Sequence, residues 1–124
     1  MDWRTMAWRI LALMAYDTEL AERVRELVYP RGDIDEKKMF GGLAFLVGGN
    51  MAVAVSGKGG LLVRVEPAES ETLVDGAAVA PMTMGGREMT GWLRVAPDLV
   101  ADDAVLREWV ERGVTFAAAL PRKR

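Results

Sequence analysis

The stretch from Lys37 to Val65 limits what this chain can fold into more than any other. It reads Lys-Lys-Met-Phe-Gly-Gly-Leu-Ala-Phe-Leu-Val-Gly-Gly-Asn-Met-Ala-Val-Ala-Val-Ser-Gly-Lys-Gly-Gly-Leu-Leu-Val-Arg-Val. Short apolar runs alternate with glycine-rich breaks, the pattern of an antiparallel β-meander. The spacing predicts strands near 36–40, 43–48, 51–56 and 60–66. Gly48-Gly49-Asn50 and Gly57-Lys58-Gly59-Gly60 supply residues that tolerate positive φ in tight turns. Gly41-Gly42 suggests a bulge or a sharp bend.

Side chains alternate between the two faces of a strand, so the faces can be assigned. Leu43, Phe45 and Val47 share one side, as do Met51, Val53 and Val55, and then Leu61, Val63 and Val65. These large residues are assigned to the core beneath the helices. The opposite side carries Ala44, Leu46, Ala52, Ala54, Leu62, Arg64 and Glu66. It is too apolar for a solvated sheet face, and a second subunit is expected to cover it.

Helices flank the meander. Asp17 reads as an N-cap, and Leu20, Val24, Leu27 and Val28 form one apolar stripe that Pro30 and Gly32 terminate. Pro67 to Val74 reads as a short helix. Pro81–Met84 and Met89–Val95 read as a hairpin turning at Gly85-Gly86, with Trp92 and Arg94 on one face and Leu93 and Val95 on the other. Met82, Met84 and Met89 gather at this hairpin and are assigned to the core. Asp102 or Asp103 caps a last helix, whose stripe runs through Leu106, Trp109, Val110, Gly113, Phe116, Ala117 and Leu120. The fold class is therefore α+β: an antiparallel sheet of about six strands, meander plus hairpin, packed by N- and C-terminal helices.

Residues 1–13 read as an N-terminal extension. Trp3, Met6, Ile10, Leu13 and Met14 fall at helical spacing, but a translation start at Met14 is the simpler reading. A single domain spans 14–121, and 122–124 is a short basic tail read as a solvated terminus.

The chain has no His and no Cys. Disulfides and thiolate metal sites are excluded, and the commonest general base and metal ligand are missing. Asp33, Asp35 and Glu36 lack the ligand pattern of a calcium loop. Ala52 and Gly59 break the Walker spacing around Gly57-Lys58, so no phosphate loop is present. No catalytic, metal-ligating or cofactor-binding residue is expected, and no cofactor. Carboxylates, Lys37, Lys38, Tyr16, Tyr29 and Ser56 are the groups left for an enzyme or small-ligand site, and no base stands beside a nucleophile. The net charge of −2 gives no general attraction to nucleic acid or acidic membranes. No apolar run reaches the ~20 residues of a membrane span.

One resemblance sharpens this picture. Tyr16-Asp17, Lys38-Met-Phe-Gly-Gly-Leu-Ala-Phe45, Val63-Arg-Val65, Pro81-Met82, Gly91-Trp92 and the closing Trp109 helix are similar to the N-terminal domain of the TfoX/Sxy proteins. The similarity covers about residues 14–121. It implies a secretion-chaperone-like sandwich of helices on an antiparallel sheet, often dimeric. It also implies a non-enzymatic role near that of competence regulators, which act with the cyclic-AMP receptor protein. These residues match the first domain of such regulators alone, so direct DNA contact is only the alternative expectation, in which Lys37-Lys38, Lys58 and Arg122-Lys-Arg124 would meet on one edge. The expected protein is a cytoplasmic interaction module and a homodimer, with a protein partner drawn from the transcription machinery. Lys37, Lys38, Arg64, Trp92 and Arg94 are the candidate interaction residues.

Overall fold

A computed structural model describes residues 16–39 and 41–123. The expected N-terminal extension, residues 1–13, lies outside the described residues. Helix α1 (Thr18–Val28) opens the described chain, and a 3-10 turn at Tyr29–Arg31 ends it. Strands β1 (Ile34–Met39), β2 (Gly42–Val47), β3 (Asn50–Val55) and β4 (Leu61–Arg64) follow. A 3-10 turn (Pro67–Glu69) and a one-turn helix α2 (Ser70–Leu73) lead to β5 (Val79–Met84) and β6 (Arg87–Val95). The short helix α3 (Pro97–Val100) and the long helix α4 (Asp103–Ala118) close the fold. The six strands pair antiparallel in the order β1-β2-β3-β4-β6-β5.

Local chemistry explains these boundaries. Asp17 caps α1 by accepting hydrogen bonds from the Glu19 and Leu20 amides. Asp102, not Asp103, caps α4, accepting from the Ala104 and Val105 amides at 2.8 and 3.2 Å. Asp103 instead pairs with Arg23 of α1. The segment expected as one helix from Pro67 splits into the 3-10 turn and α2, and α3 was not anticipated.

The helix-side core joins Leu20, Val24 and Val28 of α1 to Leu106, Trp109, Val110 and Val114 of α4 over Phe45, Val53, Val55, Leu61 and Val63. Phe45, Val53, Val55, Leu61 and Val63 have no exposed surface. Helix α4 crosses β3 so closely that a Cβ on Gly113 would stand 2.5 Å from the Ala52 carbonyl oxygen. Only hydrogen fits there.

That crossing coincides with a bulge. Phe45 pairs with Val53, but its neighbour Leu46 pairs with Met51, so Ala52 is the extra residue in β3. The assignment of Met51 to the helix side and Ala52 to the opposite side is therefore corrected. The bulge turns Ala52 into the helix-side core and Met51 onto the outer face. Gly42 is not at the bulge. It sits in β2 opposite Met39, where a Cβ would overlap the Val55 carbonyl oxygen at 2.0 Å.

Candidate functional site

The outer face of the sheet carries a second apolar cluster. Ala44, Met51, Ala54, Leu62 and Met82 form its centre, with Met39, Leu46, Met89 and Trp92 packed around them. All nine residues come from strands. Met82 and Met89 of the β5–β6 hairpin thus belong to this outer cluster and not to the helix-side core, and Met84, expected in the core, lies outside both. Met82 is buried, Met89 half-buried and Met84 exposed.

Arg64 and Trp92 are register partners across β4 and β6. The Arg64 guanidinium lies 5.5 Å from the Trp92 ring centre and the same distance from the ring of Phe116. Cation–π attraction on two aromatic faces fixes its position. The β3–β4 ladder runs only from Val53↔Val63 to Val55↔Leu61, so Arg64 lies past its end. There it meets Trp92 on the outer face and Phe116 from α4.

A cavity of about 810 Å³ opens at this end of the face. Met39, Leu46, Met51 and Trp92 give it an apolar floor, and Lys37, Arg64, Arg122 and Lys123 supply positive charge. Asp35 and Glu36 also line it. The two cations from the C-terminal tail are held in place. The buried Asn50 side-chain amide donates to the Pro121 carbonyl at 2.9 Å, and the Lys123 amide donates to the Gly48 carbonyl at 2.8 Å. Arg122 also pairs with Asp33. The tail is exposed, as a solvated terminus would be, but it is stitched to the β2–β3 turn.

The five candidate interaction residues divide. Lys37, Arg64 and Trp92 line this one cavity. Lys38 is an exposed residue on the opposite strand face from Lys37, because adjacent residues alternate. Arg94 shares the face of Trp92 but sits further along β6. It donates to the Ser56 hydroxyl oxygen at 3.3 Å and lines a separate small hollow with Lys58, Ala80 and Pro97. Arg122 and Lys123 also line the site, although a short basic run at this place reads in sequence as a solvated terminus.

The remaining polar groups are dispersed. Ser56 is buried, its oxygen accepting from the Lys58 amide as well as from Arg94. Tyr16 packs half-buried against the helix-side core. Tyr29 donates to Glu36, which is also held by both terminal and inner nitrogens of Arg25 at 2.8 Å. The hydrogen bonds from Arg25 and then from Tyr29 hold the Glu36 carboxyl below its ordinary value, and Glu36 pushes the Tyr29 hydroxyl up. This triad ties α1 to β1. Among the described residues, no group of three His, Cys, Asp or Glu side chains is placed to hold a metal ion. No described helix is long and apolar enough to cross a membrane.

The model of the TfoX N-terminal domain matches residues 26–117. The chain belongs to that family. The match takes in the meander, the hairpin and nearly all of α4, and so includes Lys37, Arg64, Trp92 and the bulge beneath Gly113. No curated protein matches this TfoX N-terminal domain chain. The family points to a regulatory or interaction module and is not one of known enzymes.

Proposed function

We propose that the chain is a protein-interaction module without chemistry of its own, and that its partner docks at the cavity between β1, β4, β6 and the C-terminal tail. The observation that carries this reading is the joining of Arg64 and Trp92 over a methionine-rich floor. Trp and Arg are the residues that most often dominate interface energy. Methionine adapts its shape to an incoming side chain. Lys37, Arg64 and Lys123 favour a partner that presents an apolar side chain beside acidic ones. In line with its family, the module acts in regulation, with a component of the transcription machinery as the partner. We further propose that it works in the cytoplasm and as a homodimer.

Capture from native lysate tests this. The tagged chain retains a specific protein that the Lys37→Glu, Arg64→Glu double variant loses. Recovery of the chain alone, or equal recovery by both baits, overturns the reading. Light scattering tests the homodimer: twice the 13.6 kDa chain mass is expected, and a monomer mass at high concentration refutes it.

A second reading, contact with phosphate, rests on Lys37, Arg64, Arg122 and Lys123 lining one cavity. Asp33 neutralises Arg122, and Asp35 and Glu36 stand beside the others. A duplex that is not shifted at low salt, where phosphate contacts are strongest, ends this reading.

A further inference from the structure

The sheet is open, and its two edges differ. Strand β5, at one end of the order, carries Pro81, which has no amide hydrogen to offer another strand. Strand β1, at the other end, has β2 on one side and no neighbour on the other among the described residues. Its register fixes which backbone groups are free. Met39 and Gly42 are partners with two residues between them, and at the far end the Gly48 amide donates to the Asp33 carbonyl. Asp35, Lys37 and Met39 therefore exchange their hydrogen bonds with β2. Ile34, Glu36 and Lys38 present theirs outward.

Charged side chains on an edge strand ordinarily keep other strands away. In Ile34-Asp-Glu-Lys-Lys-Met39 their order does the reverse for one occupant, a second β1. A copy related by a two-fold axis normal to the sheet runs antiparallel and sets residues of the same face opposite one another. With the axis at Glu36, Ile34 exchanges hydrogen bonds with Lys38 of the second copy, and Glu36 with its own counterpart, about six backbone bonds in all. Asp35 then lies opposite Lys37 of the second copy, and Lys37 opposite its Asp35, in the closer pairs that share no backbone bond. Both side chains are exposed. Moving the axis one residue either way sets Lys37 or Asp35 against its own like charge.

The like charges that do meet on the axis are already compensated. Each Glu36 carboxylate is held by its own Arg25 and Tyr29. Tyr29 is one of the exposed large side chains, and its bond to Glu36 stands it beside the axis. An aromatic ring with its hydroxyl satisfied suits an interface.

We propose that the chain dimerises by pairing β1 with β1 of a second copy, antiparallel about Glu36, so that two six-stranded sheets join into one. This rests on the homodimer reading above and gives it an interface. The copies meet edge to edge. Lys37 answers the second copy's Asp35, and Arg64 and Lys123 are left to meet the acidic partner at the cavity.

The chain has no Cys of its own, so introduced thiols report the register. An Asp35→Cys chain and a Lys37→Cys chain are mixed and oxidised. Directly opposed residues stand about 4.5 Å apart at Cα, within reach of a disulfide, whereas each position is more than about 7 Å from its own counterpart. The mixture is expected to form a covalent dimer at least about tenfold faster than either variant alone. Asp35→Lys is expected to raise the dimer dissociation constant at least about tenfold in light scattering, and the swap Asp35→Lys, Lys37→Asp to restore it. A dimer whose mixture cross-links no faster than the single variants, or one that Asp35→Lys leaves unchanged, overturns this interface while the homodimer reading stands. A monomer mass for the unaltered chain at high concentration overturns both.

Discussion

Arg64 and Trp92 face each other across β4 and β6, with the guanidinium 5.5 Å from the ring centre. The pair sits where the β3 bulge has ended the neighbouring ladder, and Phe116 of α4 closes on Arg64 from the helix side at the same distance. One side chain thus links the outer face to the long helix. A double-mutant cycle of Arg64→Ala and Trp92→Ala, measured by urea denaturation, is expected to give a coupling of about 0.5–1 kcal/mol. A coupling near zero contradicts the stacking.

Gly113 tests the packing of α4 on the bulge. Alanine is the better helix former by about 1 kcal/mol. Its Cβ would stand 2.5 Å from the Ala52 carbonyl oxygen and 2.7 Å from Val53 Cγ1. Backbone cannot swing aside like a flexible side chain, so overpacking by about 1–3 kcal/mol prevails. Gly113→Ala therefore lowers Tm in calorimetry. A higher Tm shows that the helix stands further from β3.

The two neighbouring aspartates at the start of α4 have different jobs. Asp102→Ala removes both capping hydrogen bonds and costs about 1 kcal/mol. Asp103→Ala removes an ion pair whose acidic side chain is largely exposed, and costs under about 0.5 kcal/mol. Chemical denaturation of the two variants decides which one is the cap.

The Arg25–Glu36–Tyr29 triad makes stability depend on pH. The Glu36 carboxyl is held below its ordinary value in the folded chain. Its stabilising share is therefore present above the unfolded value of about 4.3 and is lost as pH falls through the lower folded value. Tyr29 is raised, so its share is full below the unfolded value of about 10 and is lost as pH rises through the higher folded one. Glu36→Gln is expected to cost about 1 kcal/mol at neutral pH and to shrink the acid-side loss. Denaturation midpoints at pH 7 and pH 3.5 measure both. An unchanged slope between those pH values removes Glu36 from the account.

The meander and hairpin were legible because glycine breaks and period-two alternation act within a few residues of each other. The inward set at Leu43, Phe45, Val53, Val55, Leu61 and Val63 follows directly from that alternation. Met51 and Ala52 did not, because a bulge resets the phase by one residue and its cause is not local. It lies opposite Gly113, a residue about sixty positions on in the chain. The site shows the same limit. Arg64 and Trp92 were readable as same-face residues, and their meeting needed only the β4–β6 pairing. Lys38 was grouped with Lys37 by sequence proximity, which in a strand means opposite faces. Arg122 and Lys123 were missed as part of the site because their anchoring depends on a hydrogen bond from Asn50, across seventy residues of sequence. In the sequence Asn50 reads only as a turn residue.

The central claim is that a partner meets this protein at the basic, methionine-floored end of the outer face. Photocross-linking in native cells tests it most directly, with a benzophenone amino acid at Lys37 in one chain and at Arg107 on α4 in another. The account predicts a discrete cross-linked species from position 37 that is absent from position 107 and disappears with Arg64→Glu. The same species from both positions, or one from position 107 alone, contradicts it.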